Sequence, residues 1–243
     1  MSPPRRQTIQ FLYATIIFVV AGVVIWSITT GIVTGKDVSV AFLASLGTFL
    51  GALFAFRLNE SKETSKKLSE QRAALNRALF VLARQRNAIK SFAKYLQPFN
   101  SDIERALMLP AHKPPRYEDL RQDFESIEFL LENGKANILM RIAIEDERFH
   151  QTFESIRIRN DFYVTEVQPE LSRHGFQGKD VTEKQLLEAL GERIYGTAIN
   201  YSNGLYFHVA KSMESIPSMH ADVFAVAKDL FPNDKFISFE ADA

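Results

Sequence analysis

The pattern of apolar and polar positions divides the chain sharply near residue 57. Between Arg6 and Lys36 the only ionisable side chain is Tyr13, and the run from Ile9 to Val33 is apolar all round. That run exceeds the roughly 20 residues a helix needs to cross hydrocarbon. A second uncharged run, Val38 to Phe56, is bracketed by Asp37 and Arg57, and its 19 positions reach just across a core of about 30 Å at about 1.5 Å per residue. The pattern therefore predicts two membrane spans, about 9–32 and 38–56, joined by the short link Gly35-Lys36-Asp37 as a helical hairpin. Arg5 and Arg6 ahead of an apolar run also suit a signal peptide. The run is too long for that, lacks an Ala-x-Ala cleavage site, and is followed directly by a second span.

Beyond Arg57 the period changes. Neither proline nor glycine occurs until Pro98, and Leu68, Leu75, Leu82, Ile89 and Leu96 recur every seven residues with Leu79, Phe92 and Ala93 between them. Heptads of this kind predict one long helix over 58–98 burying a narrow stripe. The stripe either packs on other helices of the same domain or, continuous with the second span, forms a rod from the membrane inward.

The remainder, 99–243, reads as a helical bundle domain. Asn100 or Ser101 caps a short helix ending at Leu109-Pro110, and His112-Lys113-Pro114-Pro115 is a rigid link. Leu120, Phe124, Ile127, Leu130 and Leu131 mark an amphipathic helix stopped by Asn133-Gly134. Ile138, Ile142, Phe149, Phe153 and Ile156 mark the next, running toward Pro169. Thr182-x-x-Gln185 is a capping box that opens a helix through Leu186, Leu187, Leu190 and Ile194. Gly191, Gly196 and Gly204 weaken the end of that helix, and Pro217 is expected to separate it from a last one containing Val223, Phe224, Val226 and Leu230. The apolar tail Phe236-Ile237-Ser238-Phe239 docks or adds a short strand. The expected class is all-α in three parts: transmembrane hairpin 1–57, long basic juxtamembrane helix 58–98, helical domain 99–243.

Charge adds an orientation. The 243-residue chain is formally neutral, yet residues 1–56 carry +2, residues 57–94 carry +7 from ten Lys or Arg against three Glu, and the rest carries −9. Arg5 and Arg6 precede the first span, while Arg57, Lys62, Lys66 and Lys67 follow the second, so the positive-inside rule places both termini in the cytoplasm of a multi-pass protein. Lys62, Lys66, Lys67, Arg72, Arg77, Arg84 and Arg86 are the candidate contacts to a partner or to anionic membrane lipid, on faces expected to be solvated.

Candidate chemistry is sparse. The chain has no cysteine, which removes disulfides, thiolate zinc sites and thiol nucleophiles. Five scattered histidines form no His-Glu-x-x-His, and Glu147-x-x-His150 occurs once, where a carboxylate-bridged iron site needs it twice with two further carboxylates. Glu145, Asp146 and Glu147 beside Arg141 and Arg148 read as an exposed ion-pair face. Phosphate loops and the Gly-x-Ser-x-Gly elbow are absent. No catalytic, cofactor-binding or metal-binding residue is assigned, and the chain is read as no enzyme. Gly47-x-x-x-Gly51-x-x-x-Ala55 lines small residues on one face of the second span. Such a face lets another backbone approach closely in lipid, either the first span of the same hairpin, where Ala14, Ala21 and Gly22 are small, or a second subunit of a homo-oligomer.

The two-span hairpin, the long basic helix, the helical domain without enzyme motifs and the closing Leu230-Phe231-Pro232-x-x-x-x-Phe236-Ile237 stretch together resemble the two-transmembrane effectors of bacterial retron anti-phage systems. That resemblance implies a toxic protein of the bacterial inner membrane. A reverse transcriptase with its msDNA, an RNA-DNA hybrid, would hold it silent, and release on infection would permeabilise the membrane and kill the cell. Two helices enclose no aqueous path, so permeabilisation would require hairpins to associate. The reading of another class is a membrane-anchored scaffold or sensor whose helical domain recruits a soluble partner.

Overall fold

The computed structural model describes residues 22, 25–26, 29–30, 35–113, 116–176 and 181–239. The first predicted span lies outside the described residues but for five positions, and so do Arg5, Arg6, Ala14, Ala21 and the Pro114-Pro115 link. All regular structure among the described residues is helical: α1 (Gly35–Leu96), a π-helical turn (Glu104–Met108), α2 (Phe124–Ile127), α3 (Phe129–Glu132), α4 (Ala136–Phe162), a second π-helical turn (Tyr163–Val167), α5 (Gln168–Arg173) and α6 (Glu183–Leu230). The chain divides into two units, Met1–Lys66 and Lys67–Ala243.

In the first unit α1 begins at Gly35, so Lys36 and Asp37, expected in a link, are already helical. The helix carries no proline, and its large side chains from Val40 to Leu58 are exposed.

The second unit has the core. Ala74, Leu75, Ala78, Leu79, Leu82, Ile89, Phe92 and Leu96 are buried, one stripe of α1 at i, i+3, i+4 and i+7 spacing, packed with Ile142, Phe149 and Ile156 of α4 and Leu205, Ile216 and Val223 of α6. The stripe therefore packs within its own domain. It starts one heptad, nearly two turns, later than predicted: Leu68 is exposed, and the packed stripe begins at Ala74. A smaller cluster joins Ala106 and Leu107 to Val167, Leu186, Leu190 and Ala198.

Caps fix the segment ends. The Ser101 hydroxyl accepts from Glu104 N–H, and the Glu104 carboxylate accepts from the N–H groups of Asn100 and Ser101 at 2.7 and 3.0 Å, opening the π-helical turn. The predicted 120–131 helix is instead two short ones, with Leu120 before them and Leu131 exposed. Asp123 caps the first through Ser126 N–H, which starts the helix after Leu120. Gly134 follows Asn133 at φ 70°, the left-handed stop the sequence indicates. At Thr182 the capping box is formed, with Gln185 Oε1 accepting from Thr182 N–H at 2.9 Å.

Pro217 does not end a helix. α6 runs through Gly196, Gly204 and Pro217, because Ile216, Met219, His220 and Val223 on both sides of the ring are held in the core, and that packing outweighs one missing backbone bond. The interruption comes at Gly191, where φ 70° and ψ 161° suit only a residue without Cβ. Segment 231–239 docks without forming a strand.

Candidate functional site

The first candidate is the bare apolar stretch of α1. Among the described residues one helix is long and apolar enough to cross a membrane, and it contains this stretch. Every side chain from Val40 to Phe56 is exposed, around the whole circumference rather than along a stripe, with Phe42, Leu43, Phe49, Phe54 and Phe56 gathered on one side of it. Gly47, Gly51 and Ala55 lie on one face at four-residue spacing and are exposed; no described atom would meet a Cβ added at Gly47 or Gly51. Hydroxyls along the apolar segments bond their own backbone: Thr48 donates to Ala44 O at 2.9 Å and Thr30 to Trp26 O at 2.9 Å. A hydroxyl satisfied by its own helix backbone loses most of the cost of immersion in lipid.

The basic residues after this stretch do not share one environment. Lys62 and Lys66 of the first unit are exposed, as is Arg77 of the second. Others are drawn into contacts inside the second unit: Lys67 Nζ lies 3.3 Å from Glu132, Arg72 2.9 Å from Asp234, and the Arg86 guanidinium sits over the Phe239 ring at 4.4 Å. Arg84 lies over Phe80 at 5.9 Å. Lys67, Arg72, Arg84 and Arg86, expected to contact a partner, thus already touch the protein's own side chains.

Two buried polar clusters were not expected. Glu145 and Asp146, read from the sequence as part of an exposed face, are each 3 % exposed. Asp146 Oδ1 accepts from Gln85 Nε2 at 2.9 Å and from Gln122 N–H at 3.2 Å, tying α1, α4 and the preceding loop together. Arg121 approaches the same carboxylate at 3.9 Å, and His150 Nε2 lies 4.0 Å away. Burial, then the charge of Arg121, holds the His150 pKa below its ordinary value, so the ring is neutral. Glu145 accepts from Arg148 and from the Ser215 hydroxyl of α6, and burial raises its pKa against those partners. Arg141, expected beside them, pairs with Asp222 of α6 instead. Glu147 is exposed, and among the described residues no three potential metal ligands converge.

Arg159 is the second surprise. It is buried, donates to the carbonyls of Arg105, Ala106 and Leu109 at 3.2, 3.1 and 2.6 Å, and lies over the Tyr163 ring at 4.6 Å. Three carbonyls at the end of the first π-helical turn supply the partial negative charge that no carboxylate gives. Burial still lowers the guanidinium pKa to about 10, leaving it charged at neutral pH. This arrangement positions the 105–112 segment; it offers no nucleophile or general base. An open cleft of about 1120 Å³ beside it is lined by Arg116, Tyr117, His150 and Arg157 among others, and Arg157 is already paired with Glu154 and Asp161.

No protein-family model, curated protein or solved structure matches the chain.

Proposed function

We propose that this chain is a membrane-embedded effector of an abortive-infection anti-phage system. In this reading it is a multi-pass protein of the bacterial inner membrane with both termini in the cytoplasm, where Arg57, Lys62 and Lys66 follow the apolar segment. A reverse transcriptase with its msDNA silences it, and release lets hairpins associate and permeabilise the bilayer. The observation that carries the reading is the bare apolar circumference of α1 between Val40 and Phe56, with the open small-residue face at Gly47 and Gly51. Such a face suits close helix approach in lipid. Lys62, Lys66 and Arg77, exposed on α1, suit phosphate contact with headgroups or the partner's nucleic acid.

A second reading is a membrane-anchored scaffold or sensor, which the apolar stretch of α1 suits equally, since a membrane-length helix by itself anchors but encloses nothing. Expression without any partner separates the two. The effector reading expects collapse of membrane potential in the expressing cells, and Gly47→Leu with Gly51→Leu is expected to restore the potential while the protein stays in the membrane fraction. Cells that keep their potential while carrying full-length protein in the membrane support the scaffold.

A further inference from the structure

Segment 231–239 leaves α6 through a turn closed by Asp234 N–H on Phe231 O and lies without regular structure against two helices. The Asp234 carboxylate accepts from Arg72 at 2.9 Å, Ile237 N–H donates to Asn76 Oδ1 at 3.1 Å, and Phe239 lies under the Arg86 guanidinium at 4.4 Å. Arg72, Asn76 and Arg86 sit at i, i+4 and i+14 on α1, which is one helix face. Opposite them, α6 offers the His220 imidazole, stacked on Phe239 with centroids 3.8 Å apart and planes 23° apart. The Phe239 ring is thus held between a guanidinium and an imidazole. Phe231 and Phe236 pack on the core below.

These contacts amount to a recognition pattern. An acid meets Arg72, a main-chain N–H three positions on meets Asn76, and an aromatic ring five positions on enters the slot between Arg86 and His220. None of it uses a backbone ladder, so side chains carry the selectivity and the segment leaves without disrupting a sheet. The fit is also incomplete. His220 is 3 % exposed, and its Nε2 has no hydrogen-bond partner among the described residues. A buried nitrogen without a partner opposes the seating of the ring that covers it.

We propose that this face of α1 and α6 is a docking groove for a non-helical segment of a partner protein, one that carries an acidic residue five positions before an aromatic one. The chain's own segment 231–239 occupies the groove in cis and competes with that partner. Charge complementarity at Arg72 and the cation over the ring at Arg86 define the partner's chemistry. The groove lies wholly in the second unit and requires nothing of the apolar segment.

The test uses the full chain in detergent and a fluorescent synthetic peptide with the sequence of residues 232–243. A chain stopped after Phe231 is expected to bind the peptide in fluorescence anisotropy. The parent, whose groove is filled, is expected to bind it far more weakly. Arg86→Ala in the stopped chain, or Phe239→Ala in the peptide, should weaken binding about fivefold to tenfold. Full-length Phe239→Ala, which keeps Phe231 and Phe236 in the core, should take up the peptide where the parent does not, and it decides the matter if the stopped chain loses helix. Failure of a fully helical variant to bind above the parent would overturn the proposal. Equal binding of a scrambled peptide, or indifference to Arg86→Ala, would do so too. None of these readouts involves membrane potential, so the effector reading stands or falls separately.

Discussion

Two stretches of α1 follow one another in a single helix and treat their apolar side chains in opposite ways. Between Val40 and Phe56 the large side chains are bare, Phe42 at 63 % and Phe54 at 69 % exposed; between Ala74 and Leu96 Leu75, Leu79, Leu82 and Ile89 are at 0 %. The more apolar stretch is the exposed one, so hydrophobicity by itself does not decide burial. Periodicity does. A stripe flanked by Arg77, Arg84 and Lys94 needs cover on one side and finds it in α4 and α6. A circumference with no polar side needs an apolar solvent on every side, and the bilayer is one.

The contrast breaks if equal truncations have equal effects. Leu82→Ala removes a fully buried side chain and should cost the second unit about 2–5 kcal/mol in chemical unfolding. Leu53→Ala, on the exposed stretch, should leave that transition where it was, within about 0.5 kcal/mol. The opposite substitution sharpens the comparison. Leu50→Arg places a charge near the middle of the apolar stretch, at about 3 kcal/mol for a span centre, and should shift the protein out of the membrane fraction. Phe80→Arg, at an exposed position of the striped stretch, should not.

Polar groups differ between the two stretches as the apolar ones do. Thr48 satisfies itself on Ala44, so Thr48→Val should be nearly neutral. Gln85, on the striped stretch, needs Asp146 of α4. Asp146→Asn keeps one acceptor but loses the charge-assisted bonds to Gln85 and Gln122, and should cost about 1–2 kcal/mol in the same unfolding measurement.

What the sequence made legible follows from these differences. Local signals carried through where a few neighbouring residues decide the outcome: the Thr182 and Gln185 box, the Asn133-Gly134 stop and the seven-residue recurrence from Leu75 to Leu96. Signals failed where distant residues decide. Glu145 and Asp146 alternate with arginines in a way that suits an exposed face, and they are buried because Ser215 and Gln85, 70 and 61 positions away, meet them. Pro217 carries an intrinsic break that the core contacts of Ile216 and Met219 override. Among the basic residues singled out on α1, Lys67, Arg72 and Arg86 meet distant partners inside the chain, and no periodicity reveals them, because Glu132, Asp234 and Phe239 come from elsewhere in the sequence.

The two stretches should differ last in their response to pH. No titratable side chain lies between Val38 and Phe56, so that stretch has nothing to protonate. Burial, and then the charge of Arg86 from the striped stretch, lowers the His220 pKa from 6.5 to about 4. The folded protein therefore favours the neutral ring, and proton uptake favours the unfolded chain. The contribution of His220 to stability is whole above pH 6.5, falls as pH drops through 6.5, and stops falling below about 4. Between pH 6.5 and 5.5 the loss should be about 1 kcal/mol. His150, also lowered, acts in the same direction; Glu145, raised by burial, acts in the opposite one. The difference between the parent and His220→Phe is therefore the quantity to measure, by denaturant midpoint at both pH values. Parent and variant losing stability equally would show that burial and Arg86 do not hold the imidazole neutral.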